Sequence, residues 1–209
     1  MCFASREKIM DMLEVISGNR VNYAMNIVGG ARRDINEEQK QILINMISEL
    51  RREYKNIYNI YAKDSSIAAR TKGVGVLSKD DALNYGACGP HGRASGVNFD
   101  VRKTMSYNFY EDFEFNVALA KDGDVFSRAV IEIEESFKII EQALNKIPHG
   151  PINLGNKIPR VPAGEAMIVT EAPRGEVTYY VVTNGGQTNG RVNIHVPTFK
   201  NAMTVPVML

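Results

Sequence analysis

The sequence is poor in cysteine and tryptophan: it has two cysteines, Cys2 and Cys88, and no tryptophan. Two cysteines cannot build a disulfide framework, so the chain is expected to work in a reducing cytoplasm. They form no Cys-x-x-Cys pair, which is a common arrangement of thiolates at metal and redox sites. The absence of tryptophan excludes no class of function.

Long apolar runs and a strong net charge are also absent. No run reaches the roughly 20 residues that a membrane-spanning helix needs. The first residues lack the basic and apolar regions of a signal peptide. The formal net charge of +1 predicts no general attraction to nucleic acid or to an anionic membrane. The 209 residues, 44% of them hydrophobic, suffice for a core, and we expect a single domain over residues 1–209, central to a larger protein.

Hydrophobic periodicity predicts helices along most of the chain. The predicted helices are residues 5–17, 36–61, 78–85 and 124–147. Asn36 with Gln39, and Ser78 with Asp81, have the spacing of a capping box. Pro148 is expected to end the last of these helices, because proline cannot continue one.

From residue 165 the apolar pattern changes to a period of two, which is typical of strands. The predicted strands are residues 165–170, 176–182 and 191–196. Short turns rich in glycine, proline and asparagine connect them, so the strands should be antiparallel. The fold class expected is α+β and mainly helical, with a helix-bundle core and a small antiparallel β-meander near the C-terminus.

Residues 171–176 (EAPRGE) hold an arginine on a short, stiff turn. Pro173 fixes φ and Gly175 permits a sharp reversal of the chain. Between them, Arg174 presents five N–H donors to its surroundings. This arrangement suits recognition of an immobile anion, and the alternative is an ordinary β-turn with a solvated arginine.

Residues 86–96 (GACGPHGRASG) are rich in glycine but match neither the P-loop nor the dinucleotide-binding pattern. Their glycines predict a backbone packed tightly against a neighbouring segment. Arg93 and Arg102 are expected to pair with Asp100. Cys88 and His91 have no third or fourth ligand nearby in the sequence, so no metal is assigned to them and their role is left open.

Together with residues 29–35 (GGARRDI) and 197–201 (PTFKN), these stretches occur in an order that resembles one known family. It is the large subunit of membrane-bound, energy-converting NiFe hydrogenases of the Ech type, which is homologous to the quinone-side large subunit of respiratory complex I. The resemblance runs almost end to end and implies a mostly helical body with a small sheet. Two Cys-x-x-Cys motifs hold the metals in that family. We therefore expect a middle portion of a longer protein, with those motifs on both sides.

The resemblance also implies roles for three residues. Arg174 is the candidate catalytic residue, over the open coordination position of the nickel. Pro173 and Thr198 are the candidate cofactor-binding residues, against the cyanide ligands of the iron. Cyanide on iron is an anionic acceptor that such donors can hold. Because a guanidinium rarely gives up its proton, the expected role of Arg174 is electrostatic orientation, while a role as base is left open.

For the complete protein the resemblance implies reversible conversion of two protons and two electrons to H2. Electrons would pass through an iron–sulfur cluster in a partner small subunit. Other soluble and membrane subunits would hold the assembly on the inner face of the cell membrane, and no nucleic-acid partner is expected. The 209 residues alone should be inactive. The form of residues 197–201 favours the hydrogenase. The alternatives are a metal-free, complex I-like large subunit that acts in quinone reduction, or a non-catalytic docking scaffold.

Overall fold

The computed structural model describes residues 2–131, 133–155, 161–186 and 188–209. The helices are α1 (Cys2–Ser17), α2 (Glu37–Lys63), α3 (Ser65–Thr71), α4 (Lys79–Asn84), α5 (Gly89–Ala94), α6 (Val101–Thr104), α7 (Val125–Val130), α8 (Ile133–Asn145), α9 (Pro197–Ala202) and α10 (Val205–Met208). The strands are β1 (Asn26–Ile27), β2 (Gly30–Ala31), β3 (Ala163–Ala172), β4 (Gly175–Asn184) and β5 (Asn189–His195). The prediction of a mainly helical α+β fold with a C-terminal antiparallel sheet is confirmed.

The chain divides into two compact units. The first comprises Met1–Lys63 and Ile140–Arg160, and the second comprises Asp64–Ile139 and Val161–Leu209. Helix α8 begins in the second unit and ends in the first. The single domain expected over residues 1–209 stays a prediction.

In the first unit, α1 packs along the long helix α2. The capping box at the start of α2 forms as predicted. The side chain of Asn36 accepts the Gln39 N–H at 2.8 Å, and the side chain of Gln39 accepts the Asn36 N–H at 3.1 Å. Residues at helical spacing on α2 are buried, namely Leu43, Ile47 and Leu50. Burial of this stripe, rather than intrinsic propensity, stabilises so long a helix.

In the second unit, β3, β4 and β5 form an antiparallel sheet in that order. The strands are longer than predicted because pairing continues as far as Ala172 opposite Gly175. The loop between β3 and β4 therefore consists of Pro173 and Arg174 alone. Val177 is buried where β4 meets the helices, while β5 is exposed along its whole length.

Two predictions about helices need revision. The helix predicted over residues 124–147 is described as α7 and α8, with a turn at Ile131 between them, and Glu132 lies outside the described residues. The glycine-rich stretch 86–96 contains the short helix α5, which begins at Gly89 and has Pro90 in its first turn. Proline is well tolerated there because the first N–H groups of a helix have no partner within it.

Across the described residues, no helix combines the length and apolar character needed to cross a membrane.

Candidate functional site

The turn between β3 and β4, hereafter the 173–175 turn, lies with its backbone against the start of α5. A Cβ atom built on Gly89 would be 2.3 Å from the Cα of Gly175. A Cβ built on Gly175 would be 2.8 Å from the Gly89 nitrogen and 2.9 Å from the Cys88 Sγ. Gly89 has a φ of +64° and Gly175 a φ of +125°, which also favour glycine. The close backbone packing expected of the glycine-rich stretch is therefore present, and its neighbour is the EAPRGE stretch.

Asn201 on α9 bonds to both sides of this contact. Its side-chain oxygen accepts the Cys88 N–H at 3.0 Å. Its side-chain nitrogen donates to the carbonyl oxygen of Arg174 at 3.1 Å and to that of Cys88 at 3.3 Å. One amide thus joins the stretches 86–96, 171–176 and 197–201, which the sequence singled out separately.

The two glutamates of the EAPRGE stretch fasten the hairpin to its neighbours. Glu171 accepts a hydrogen bond from Arg93 on α5 at 2.7 Å. Glu176 forms an ion pair with Lys200 on α9. Both anions are thereby compensated by cations from the same two helices that hold the 173–175 turn.

A buried network of charges extends from Arg93, which is 1% exposed. Arg102 donates to Asp100 at 2.6 Å, and Arg93 lies 3.5 Å from the same carboxylate, as the sequence predicted. Burial would raise the pKa of Asp100, but hydrogen bonds and charge from Arg102 and Arg93 outweigh it and hold that pKa below its usual value. Burial raises the pKa of Glu171, and Arg93 opposes this only in part.

A pocket of about 540 Å³ opens beside the 173–175 turn. The candidate catalytic residue Arg174 and the candidate cofactor-binding residues Pro173 and Thr198 all line it. The pocket wall described also contains Arg128 and His91 but no carboxylate. The Arg174 side chain is exposed, and no described carboxylate lies within ion-pair distance of it. The site therefore presents positive charge to whatever occupies it.

His91 is held as a neutral hydrogen-bond donor. The Thr204 hydroxyl donates to the Asn201 carbonyl oxygen at 2.7 Å, so it accepts from the Nε2–H of His91 at 2.8 Å. Burial, together with the positive charge of Arg128, lowers the pKa of His91 to about 4. The ring is therefore uncharged at neutral pH, and its Nδ1 atom has no partner among the described residues.

Two residues of this site were not predicted as members of it. Arg128 lies on α7, and its guanidinium donates to the carbonyl oxygens of Gly123 and Gly75. Asn201 is the last position of the PTFKN stretch, and nothing in its neighbouring residues indicates that it bonds to Cys88 and Arg174. Arg128 carries no local signal, because an arginine at that position of a helix is ordinarily solvated.

Comparison with known proteins places the chain in a family. The model of the family described as "Respiratory-chain NADH dehydrogenase, 49 Kd subunit" matches residues 1–159 and 154–209. The chain belongs to this family. The predicted resemblance is thereby confirmed, since the relatives of the 49 Kd subunit family include both hydrogenase and quinone-oxidoreductase subunits.

Three relatives illustrate this breadth. A carbon monoxide-induced hydrogenase of Rhodospirillum rubrum is 39% identical over 98% of this chain and 58% of its own length. A subunit of the NADH-quinone oxidoreductase of Clostridium beijerinckii is 37% identical over 99% of this chain and 57% of its own. A membrane-bound hydrogenase subunit alpha of Pyrococcus furiosus is 36% identical over 98% of this chain and 52% of its own length. The chain thus spans somewhat more than half the length of these relatives of the 49 Kd subunit family.

A nickel–iron centre held by thiolates does not fit the residues present in this chain. Cys88 is buried beneath the 173–175 turn and hydrogen-bonded to Asn201, and Cys2 is an exposed residue of α1 in the other unit. No three His, Cys, Asp or Glu side chains gather as a metal site anywhere in the described parts of the chain. What this member of the 49 Kd subunit family does provide is one wall of a pocket, formed by Pro173 and Arg174 of the 173–175 turn and by Thr198 of α9.

Proposed function

We propose that this chain forms the central part of the large subunit of a redox complex, and that the pocket beside Arg174 receives the reacting group. The observation that carries the proposal is the convergence of Arg174, Pro173 and Thr198 on one pocket. The stretches 171–176 and 197–201 are folded so that these residues face a common space, and His91 of the stretch 86–96 lines it as well. Membership of the 49 Kd subunit family, whose named relatives are oxidoreductases, supports the same function.

The chemistry supplied by the wall is electrostatic. Reduction adds negative charge to the reacting group, and a guanidinium placed beside that group stabilises the charge as it develops. Arg174 has no described carboxylate to neutralise it, and Arg128 adds a second positive charge whose donors are held by carbonyl oxygens. Pro173 and the Gly89 contact hold the backbone of the 173–175 turn, and thereby the point from which the Arg174 side chain extends.

For the complete protein we propose reversible H2 formation and oxidation, with electrons exchanged through an iron–sulfur small subunit. A nickel–iron centre would then take its thiolates from outside these residues. Further soluble and membrane subunits would hold the assembly at the inner, cytoplasmic face of the cell membrane. A membrane-bound hydrogenase subunit alpha among the relatives supports this arrangement.

The second candidate is a complex I-like large subunit that acts in quinone reduction without a metal. The observation that favours it is a relative named as a subunit of an NADH-quinone oxidoreductase, which is 37% identical over 99% of this chain. A pocket with two guanidinium groups and the neutral His91 would stabilise the oxygen anions of a reduced quinone equally well. The third candidate, a non-catalytic scaffold that docks the small subunit, requires no chemistry from Arg174.

One experiment separates the three. The full-length protein is produced with the products of its neighbouring genes, and the complex is assayed for H2 evolution, for quinone reduction and for nickel. H2 evolution by a complex that contains about one nickel per large subunit supports the hydrogenase. Quinone reduction without nickel supports the second candidate. A complex that assembles but lacks both activities contradicts the proposed function and leaves the scaffold.

A further inference from the structure

The side chain of Asn201 has one acceptor and two donor hydrogens, and the site uses them on both sides of a single backbone contact. We propose that Asn201 is a positioning residue that holds the 173–175 turn against Cys88 and thereby fixes the place of the Arg174 guanidinium in the pocket. Its effect on turnover rests on the proposed function, whereas its effect on the turn does not.

The residue type follows from the bonds. An aspartate could accept the Cys88 N–H but would face the Cys88 and Arg174 carbonyl oxygens without a donor. A serine has one donor and a shorter reach, and a glutamine carries its amide one methylene farther from its own backbone, out of register with these three groups. An amide on a short stem is therefore the side chain that satisfies all three backbone groups.

The bonds act on the turn and not merely on the helices. Helix α5 has an independent link to the segment that follows α9, because His91 is hydrogen-bonded to Thr204, whose hydroxyl donates to the Asn201 carbonyl oxygen. Removal of the Asn201 amide leaves that link in place and releases the carbonyl of Arg174. Because Pro173 already fixes the preceding backbone, the Asn201 bond restrains the Arg174 backbone on its other side.

Cys88 reports directly on the proposed contact. It is 6% exposed, and its Sγ lies beneath Gly175, so a thiol reagent reaches it only when the turn lifts. Alkylation with iodoacetamide in the full-length complex is followed by mass spectrometry of the Cys88 peptide. We expect Asn201→Ala to accelerate alkylation roughly tenfold or more, and Asn201→Ser, which keeps one bonding group, to accelerate it less. Asn193→Ala, on the exposed strand β5, is the control and should change neither alkylation nor turnover.

Turnover is measured on the same samples. Asn201→Ala should lower it roughly tenfold or more, because a displaced group loses much of its effect. Unchanged alkylation of Cys88 in Asn201→Ala overturns the inference; if that variant does not accumulate, Asn201→Ser decides by the same readout. Arg174→Lys should lower turnover and leave alkylation unchanged. If Arg174→Lys keeps full turnover, the proposed function fails. The alkylation rates of Cys88 in the Asn201 variants still test the role of Asn201 in that case.

Discussion

Arg174 differs from the other arginines around the site in what its guanidinium contacts. Arg93 and Arg102 are paired with carboxylates, and Arg128 is bound to carbonyl oxygens. Arg174 is fastened only through its backbone, and its side chain is exposed at the pocket. A cation held by its main chain and left unneutralised is suited to stabilise a charge that appears during a reaction.

Replacement of Arg174 by lysine should lower turnover of the complete protein by roughly a hundredfold or more. Lysine keeps the charge but loses the planar fork and its fixed reach. Turnover is compared at matched cofactor content and assembly. Arg191→Lys, on the exposed strand β5, is the matched control and should behave like the parent. A loss well under tenfold would show that Arg174 is an ordinary turn residue, since exposed charges contribute roughly 1 kcal/mol or less.

His91 should make stability depend on pH. Its pKa of about 4 in the folded chain lies below the unfolded value of 6.5. Between these values the unfolded state binds more protons, so the free energy of unfolding falls as the pH falls through this window. His91→Gln keeps a donor for Thr204 but does not titrate. We expect the thermal midpoint of this variant to fall less than that of the parent when the pH is lowered from 7.5 to 4.5.

The control for the pH experiment is His195→Gln, which removes an exposed histidine of β5. It should retain the full pH difference of the parent. Equal pH dependence in the parent and in His91→Gln would contradict the conclusion that the fold disfavours the charged form of His91.

The elements themselves could be predicted wherever the signal was local. Residues close together in the sequence specify the capping box of Asn36 and Gln39 and the turn at Pro173, and both form. The strand ends could not be predicted, because pairing between β3 and β4 decides how far each strand continues. Arg128 and Asn201 were missed as members of the site because their contacts join segments 53 and 113 residues apart.

The contact between the hairpin and α5 can be tested with alanine. Gly89→Ala should destabilise the fold by roughly 3 kcal/mol or more, because its Cβ would meet the backbone of Gly175 at 2.3 Å. Gly164→Ala on β3 is the matched control, since no atom lies within 4 Å of its Cβ position. Thermal midpoints and soluble yields of the two variants are compared with the parent. Similar values for both would rule out a tight contact at Gly89.

At the scale of the whole chain, one apolar surface is exposed on the sheet. Ile168, Tyr179 and Ile194 lie opposite one another across the three strands and are 54%, 40% and 50% exposed. Val192 continues the same face of β5 and is 49% exposed. Such a surface on an isolated chain promotes association.

We therefore expect the isolated 209-residue chain to aggregate. Replacing Ile168, Val192 and Ile194 by threonine keeps the strand preference and should raise the monodisperse fraction in light scattering. Asn193→Ser, on the opposite face of β5, should have no such effect. A parent chain that is already a monodisperse monomer with a cooperative thermal transition would contradict this prediction.

The pairing of Glu171 opposite Glu176 also has a consequence for the order of folding. Two carboxylates directly across a hairpin repel each other, so the β3–β4 ribbon is disfavoured at its closing end while it stands alone. The cations that relieve this repulsion come from positions 78 and 24 residues away. The tip of the hairpin should thus become rigid only when α5 and α9 arrive, which makes the arginine-bearing turn one of the last parts of this unit to fold.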